Sequence, residues 1–153
     1  MKHDTDTRQI IHHLLRNQQL GVLSTAGVDG PYASLVAYTV SDDNRYLYFA
    51  TPRATQKFAN LSANAKVAMM INNSTNHPDD IDKAAAVTAV GKAMLLGWED
   101  KRLVQEHLLA KHPYLEAFLN APGCEIVAIC VTRYVLVQKL ENVTEYTFTD
   151  ESV

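Results

Sequence analysis

Residues 46–61 read YLYFATPRATQKFANL. Tyr46-Leu47-Tyr48-Phe49-Ala50 is an aromatic and aliphatic run suited to a strand, Thr51-Pro52-Arg53 interrupts it, and a helical pattern starts at Ala54 or Thr55. A strand that runs into a helix start favours anion binding, because the first helical turn leaves backbone N–H groups unpaired and carries partial positive charge. Hydroxyls at Thr51 and Thr55, beside the cations Arg53 and Lys57, complete a phosphate cradle. The same spacing admits a plainer reading, in which Thr55 caps its helix and Arg53 and Lys57 are solvated surface charges.

At 153 residues and 47% hydrophobic content the chain suits one domain with a real core. A net charge of -3 without any basic run argues against a nucleic-acid surface. The beginning, Met1-Lys2-His3-Asp4, is polar rather than an apolar targeting segment, and no window approaches the roughly 18 apolar residues of a membrane span. The expectation is a cytoplasmic protein without a membrane partner. Cys124 and Cys130 form neither a Cys-x-x-Cys redox pair nor half of a zinc ribbon, and read as reduced and inert.

Outward from the opening stretch, the pattern predicts a helix over 4–17, with Ile10, Ile11, Leu14 and Leu15 on its apolar face and Asp4, Thr5 and Asp6 as caps. Strands over 20–26 and 31–40 flank a tight turn at Gly27-Val28-Asp29-Gly30. The second strand alternates Tyr32, Ser34, Val36 and Tyr38 with Ala33, Leu35, Ala37 and Thr39; neither face is charged, so both should be covered. A helix over 54–63 and a strand over 65–71 follow, and then a polar stretch, 72–82, that reads as a mobile loop. His77, Asp79, Asp80 and Asp82 in that loop read as solvated rather than as a metal site, and no metal is expected. A long strand over 83–97 should break near Gly91, a helix runs from Trp98 to about Lys111, and Pro113 precedes a last short helical segment. Strands over 125–132, 133–140 and 143–148 complete the pattern, and an acidic tail at 149–153 should fray. Six or seven strands with two or three peripheral helices and no repeat predict a mainly β, α+β architecture, an antiparallel barrel in one domain over 1–153 with a helix within 1–18.

Four motifs carry a resemblance: Gly30-Pro31-Tyr32-x-Ser34 after the hairpin turn, Tyr48-Phe49-Ala50-Thr51 ending a strand, Thr55-x-Lys57 opening a helix with Asn60-Leu61, and Val90-Gly91-Lys92-Ala93 in the long strand. In order and spacing over 20–96 they resemble the pyridoxamine 5'-phosphate oxidase-like, FMN-binding split β-barrel family. The resemblance implies a homodimer with FMN in clefts at the subunit interface. It implies cofactor contacts from Ser34, Leu35, Val36 and Ala37, largely through the backbone, and from Ala50, Thr51, Thr55, Gln56 and Lys57 around the ring edge, ribityl chain and phosphate. Arg53 is added as a neighbouring positive charge.

The departures from the family pattern matter as well. Ser34 stands where the true oxidase has a phosphate-binding Arg, Thr39 where it has a Lys, Gln56 in place of an Arg, and Ala86 in place of a Gln. The chain also lacks the closing Arg-x-His segment, so pyridoxamine 5'-phosphate oxidation is not expected. Lys111-His112-Pro113 is similar to the haem-utilisation branch of the same fold. The resulting expectation is a flavin-dependent oxidoreductase acting on an unidentified small molecule, with NADH or NADPH as electron donor and no catalytic side chain identified. The alternatives are a flavin-binding or flavin-sensing protein without turnover, a haem-binding protein of this fold using His107 or His112, and deazaflavin in place of FMN.

Overall fold

Alternation decides the architecture: Val36, Tyr38 and Val40 on one strand and Leu47 and Phe49 on the next are buried on the same side, as period-two patterning requires of a sheet with one covered face. The computed structural model describes residues 2–149, with side chains from Thr5 onward. The elements in chain order are α1 (Lys2–Asn17), β1 (Leu20–Gly27), β2 (Gly30–Val40), β3 (Tyr46–Pro52), α2 (Gln56–Ala63), β4 (Lys66–Asn72), α3 (Asp80–Lys83), β5 (Ala85–Leu95), α4 (Trp98–Lys111), α5 (Glu116–Asn120), β6 (Cys124–Gln138) and β7 (Asn142–Thr147). All strand pairs are antiparallel. The order β3-β2-β1-β4-β5-β6, with β6 returning to β3, closes a six-stranded barrel, and β7 is an added strand on β6.

The barrel interior holds Leu23, Tyr38, Leu47, Phe49, Met69, Ile71, Val87 and Ile129, each essentially inaccessible. Ile11, Leu14 and Leu15 of α1 join the same core, as does Leu61 of α2. A second, smaller core lies outside the barrel, where Val104 and Leu108 of α4 and Leu119 of α5 pack on Ala50 and Ile126. Tyr38 crosses between layers: its hydroxyl donates to the Leu15 carbonyl at 2.5 Å, and the Lys111 ammonium sits 3.9 Å from its ring centroid.

Several expectations change. The helix α1 begins at Lys2, so Thr5 and Asp6 lie inside it instead of at its boundary, and the Asp4 side chain is outside the described residues. The segments 125–132 and 133–140 form one strand, β6, because no Gly or Pro interrupts Cys124–Gln138 and the two halves serve different neighbours: the first pairs with β3 and the second with β7. The polar stretch after β4 is organised rather than a bare loop. The Asp80 carboxylate accepts the backbone N–H of Thr75 and of His77, each at 3.1 Å, at the start of α3; these bonds hold the carboxyl below its usual value. Five α-helices are present among the described residues, two of them of five residues or fewer. The tail expected to fray lies outside the described residues apart from Thr149, whose carbonyl accepts from Arg45 Nη2 at 3.1 Å.

Candidate functional site

The barrel has a seam. β1 and β2 pair over eight positions and β3 and β6 over seven, but β2 and β3 pair only at Tyr38–Phe49, Thr39–Tyr48 and Val40–Leu47. Beyond Phe49 the facing edges of β2 and β3 part. Strand edges without a partner offer backbone N–H and C=O groups to whatever lies beside them, and here the two edges are Ser34–Ala37 and Ala50–Pro52.

At the end of β3 the chain turns into α2, and the hydroxyls gather. Thr51, fully buried, places Oγ1 3.0 Å from Thr55 Oγ1. Thr55 is the N-cap of α2: its Oγ1 accepts the Phe58 N–H at 3.2 Å and donates to the Pro52 carbonyl at 3.0 Å. Thr55 therefore does cap its helix, as the plainer reading had it. The cap still leaves the N–H groups of Gln56 and Lys57 at the helix start without an intrahelical acceptor. Lys57 is half-buried and makes no ion pair among the described residues. Gln56 turns along the helix, donating to Asn60 Oδ1 at 2.8 Å, and buried Asn60 donates in turn to Thr25 Oγ1 at 3.1 Å, which fastens α2 to β1.

Arg53 is placed at this corner but engaged elsewhere. Its Nε donates to Glu125 Oε1 at 2.8 Å, and Nη2 contacts the same oxygen. Lys101 Nζ stands 3.7 Å from Glu125 Oε2. Glu125 is buried, so it holds two cations to itself and the free positive charge of the corner falls to Lys57.

Along the seam, Val36 points into the core and is 6% exposed, while Leu35 lies on the outer face and is 64% exposed. Ala37 is half-buried on that outer face, and Ala50 is covered by α4 and α5. Ser34 Oγ is shielded from solvent and lacks any hydrogen-bond partner, a costly state for a hydroxyl. A phosphorylated cofactor fits these residues. The helix-start N–H groups and one ammonium suit a phosphate, while the Thr51 and Thr55 hydroxyls are bonded to each other and to the Pro52 carbonyl; the parted strand edges suit a flat polar ring, and an orphaned hydroxyl lies on β2. Thr51 and Thr55 thus come together, Gln56 turns away to Asn60, and Lys57 stands in the first turn of α2; Arg53 is adjacent but diverted, and Ser34–Ala37 and Ala50 border the seam.

Of the two candidate haem histidines, His112 is buried, and its Nε2 lies 2.7 Å from the Tyr38 carbonyl. A carbonyl only accepts, so Nε2 carries the proton and the ring is committed to holding α4 against β2. His107 is exposed on α4. No group of three or more His, Cys, Asp or Glu is placed to hold a metal among the described residues, and no helix there is long and apolar enough to cross a membrane.

Sequence reasoning missed Glu125 and Asn60 as parts of this corner. Glu125 did carry a signal, as a lone carboxylate opening the apolar run Ile126–Val131, and Asn60 stood inside the motif already singled out.

A family model described as pyridoxamine 5'-phosphate oxidase matches residues 8–127, a span holding both the seam and the corner. The chain belongs to this family. Solved structures agree on the fold. An FAD-binding protein from Mesorhizobium loti shares 18% identity over 84% of this chain and 90% of its own, with a TM-score of 0.69. General stress protein 26 from Bacillus anthracis shares 17% over 93% and 98%, at 0.72. A haem-binding protein from Mycobacterium smegmatis shares 17%, at 0.78, over 88% of this chain but 55% of its own, so the present chain spans little more than half its length. No curated protein matches significantly. At these identities, membership in the pyridoxamine 5'-phosphate oxidase family is a statement about fold.

Proposed function

We propose that this protein binds FMN along the β2–β3 seam and uses it as a flavin-dependent oxidoreductase on a small molecule, with NADH or NADPH as the electron donor. The observation that supports the reading is the start of α2, where Thr55 caps the helix beside Thr51 and Lys57 stands in the first turn, directly beyond the point where β2 and β3 part. Lys57 and the helix-start N–H groups bind the phosphate; the open edge of Ser34–Ala37 orients the ring, with Ala50 and Thr51 behind it across the seam; the orphaned Ser34 hydroxyl gains a partner. Bound FMN supplies the hydride and electron transfer, so the chain needs no nucleophile or general base of its own. In that role its contribution is position and exclusion of water.

The exposed outer face of β1, β2 and β4 supports a second subunit closing the cleft. Leu35 pairs with Val22, and Val22 with Met70, a row in which Leu35 and Met70 are exposed. For the haem alternative, His112 is committed to Tyr38, which leaves exposed His107 as its ligand. Anaerobic mixing of the FMN-loaded protein with NADH or NADPH tests turnover. Bleaching of the flavin band at catalytic rates supports the oxidoreductase; a flavin that stays oxidised leaves a passive flavin carrier.

A further inference from the structure

Between the outer face of β3 and α4 lies a cleft of about 460 Å³, within the size range of small-molecule sites. None of the phosphate-corner residues lines it. Its floor is Tyr46, Tyr48 and Ala128, and α4 supplies Leu103, Val104 and His107. The two tyrosine rings stack 6.2 Å apart with 13° between their planes, making one aromatic panel. Asp42 and Asp100 bring two carboxylates to the lining, with Ser41, Met94 and Leu96 making up the rest, and no Lys or Arg takes part.

The neighbouring cations are held by hydrogen bonds of their own. Lys101 Nζ donates to the Cys124 carbonyl at 3.0 Å and faces Glu125, while Arg16 donates to Asn44 Oδ1 at 2.7 Å and to the Ser41 and Asp42 carbonyls. Burial raises the Tyr48 phenol above its ordinary value, with Tyr46, Asp43 and Asp100 adding to the effect.

We infer that this cleft binds a small organic cation, its ammonium facing Asp42, Asp100 and the tyrosine faces and its apolar body against Leu103 and Val104. A cation over a Tyr face gains from the ring quadrupole as well as from the carboxylates. An anion would meet two carboxylates and no compensating charge. Tyr48 lies opposite Thr39 on β2, two residues from Ala37 and on the same face, so the cleft adjoins the seam. Calling the occupant a substrate rests on the flavin reading; the binding of a cation does not.

The test is calorimetric titration of the FMN-loaded protein with benzyltrimethylammonium, benzyl alcohol and benzoate at about pH 8. The cation should bind at least roughly tenfold more tightly than the alcohol, benzoate should not bind, and the cation should shift the visible flavin band. Asp100→Asn should weaken the cation by roughly fivefold or more and leave the alcohol unchanged. Equal affinity for cation and alcohol, binding of benzoate, or indifference to Asp100→Asn overturns the inference. Protein that takes up FMN but ignores the cation removes the cation site alone. Protein that binds the cation but never takes up FMN removes the flavin reading, and with it the substrate role.

Discussion

At the scale of single residues, the corner depends on one lysine. Arg53 and Lys57 look interchangeable in the sequence, but Glu125 captures Arg53 from 72 positions away, and no local pattern could have announced that pairing. Thr55 and Lys57 were legible because a helix start is local chemistry: the cap, the free N–H groups and the next basic residue all lie within one turn. Removing the corner's uncommitted ammonium should therefore be felt directly. Lys57→Ala is expected to lose about 1.5–3 kcal/mol of cofactor binding, more than tenfold in affinity. Equilibrium dialysis against FMN reads this, and the same variant should melt within a degree or two of the parent, since Lys57 makes no ion pair among the described residues.

At the scale of elements, Gly91 is where sequence and structure agree most closely. The break expected there is a register shift in the β5–β6 ladder between Val90 and Gly91. A Cβ at Gly91 would lie 2.1 Å from the Cys130 carbonyl oxygen, a backbone atom that cannot rotate away. Gly91→Ala should cost about 1–3 kcal/mol or more and lower the melting temperature by several degrees; an unchanged melting curve would refute the close approach. The continuity of β6 was less legible, because β propensity alone does not say that one strand will serve two neighbours in succession.

Helix α4 carries a charge against the core, and its titration has a definite sign. Burial, with help from Arg16, lowers Lys111 from 10.5 to about 8. Between those values the unfolded chain holds a proton that the folded chain has released, so stability rises with pH across that window. Burial raises the Tyr38 and Tyr134 phenols well above 10.0; above that pH the unfolded chain ionises first and stability falls. Urea melts from pH 7 to 11 should show a rise from about 8, a maximum near 10 and then a decline. Lys111→Met should flatten the rise and leave the decline.

At the scale of the whole molecule, the barrel was legible from strand count and the absence of parallel crossovers, whereas its seam was not. Nothing in the sequence of β2 or β3 says that their ladder stops after three pairs; that follows from where closure and the turn into α2 pull the strands. The expectation that both faces of β2 are covered holds within the chain for one face only, since Leu35 remains 64% exposed. Tyr38, on the other face, is fully buried in the barrel. The proposed second copy would cover the exposed Leu35–Val22–Met70 row. Sedimentation should accordingly find a dimer that Leu35→Glu converts to a folded monomer with weakened FMN retention; a monomeric parent would remove the shared-cleft arrangement.

The most direct test is titration of FMN-free protein with FMN, followed by visible absorbance and gel filtration. The account predicts uptake of one FMN per chain, co-eluting with the protein and lost in large part from Lys57→Ala. Protein that stays colourless, or that holds FMN equally well without the Lys57 ammonium, would contradict it.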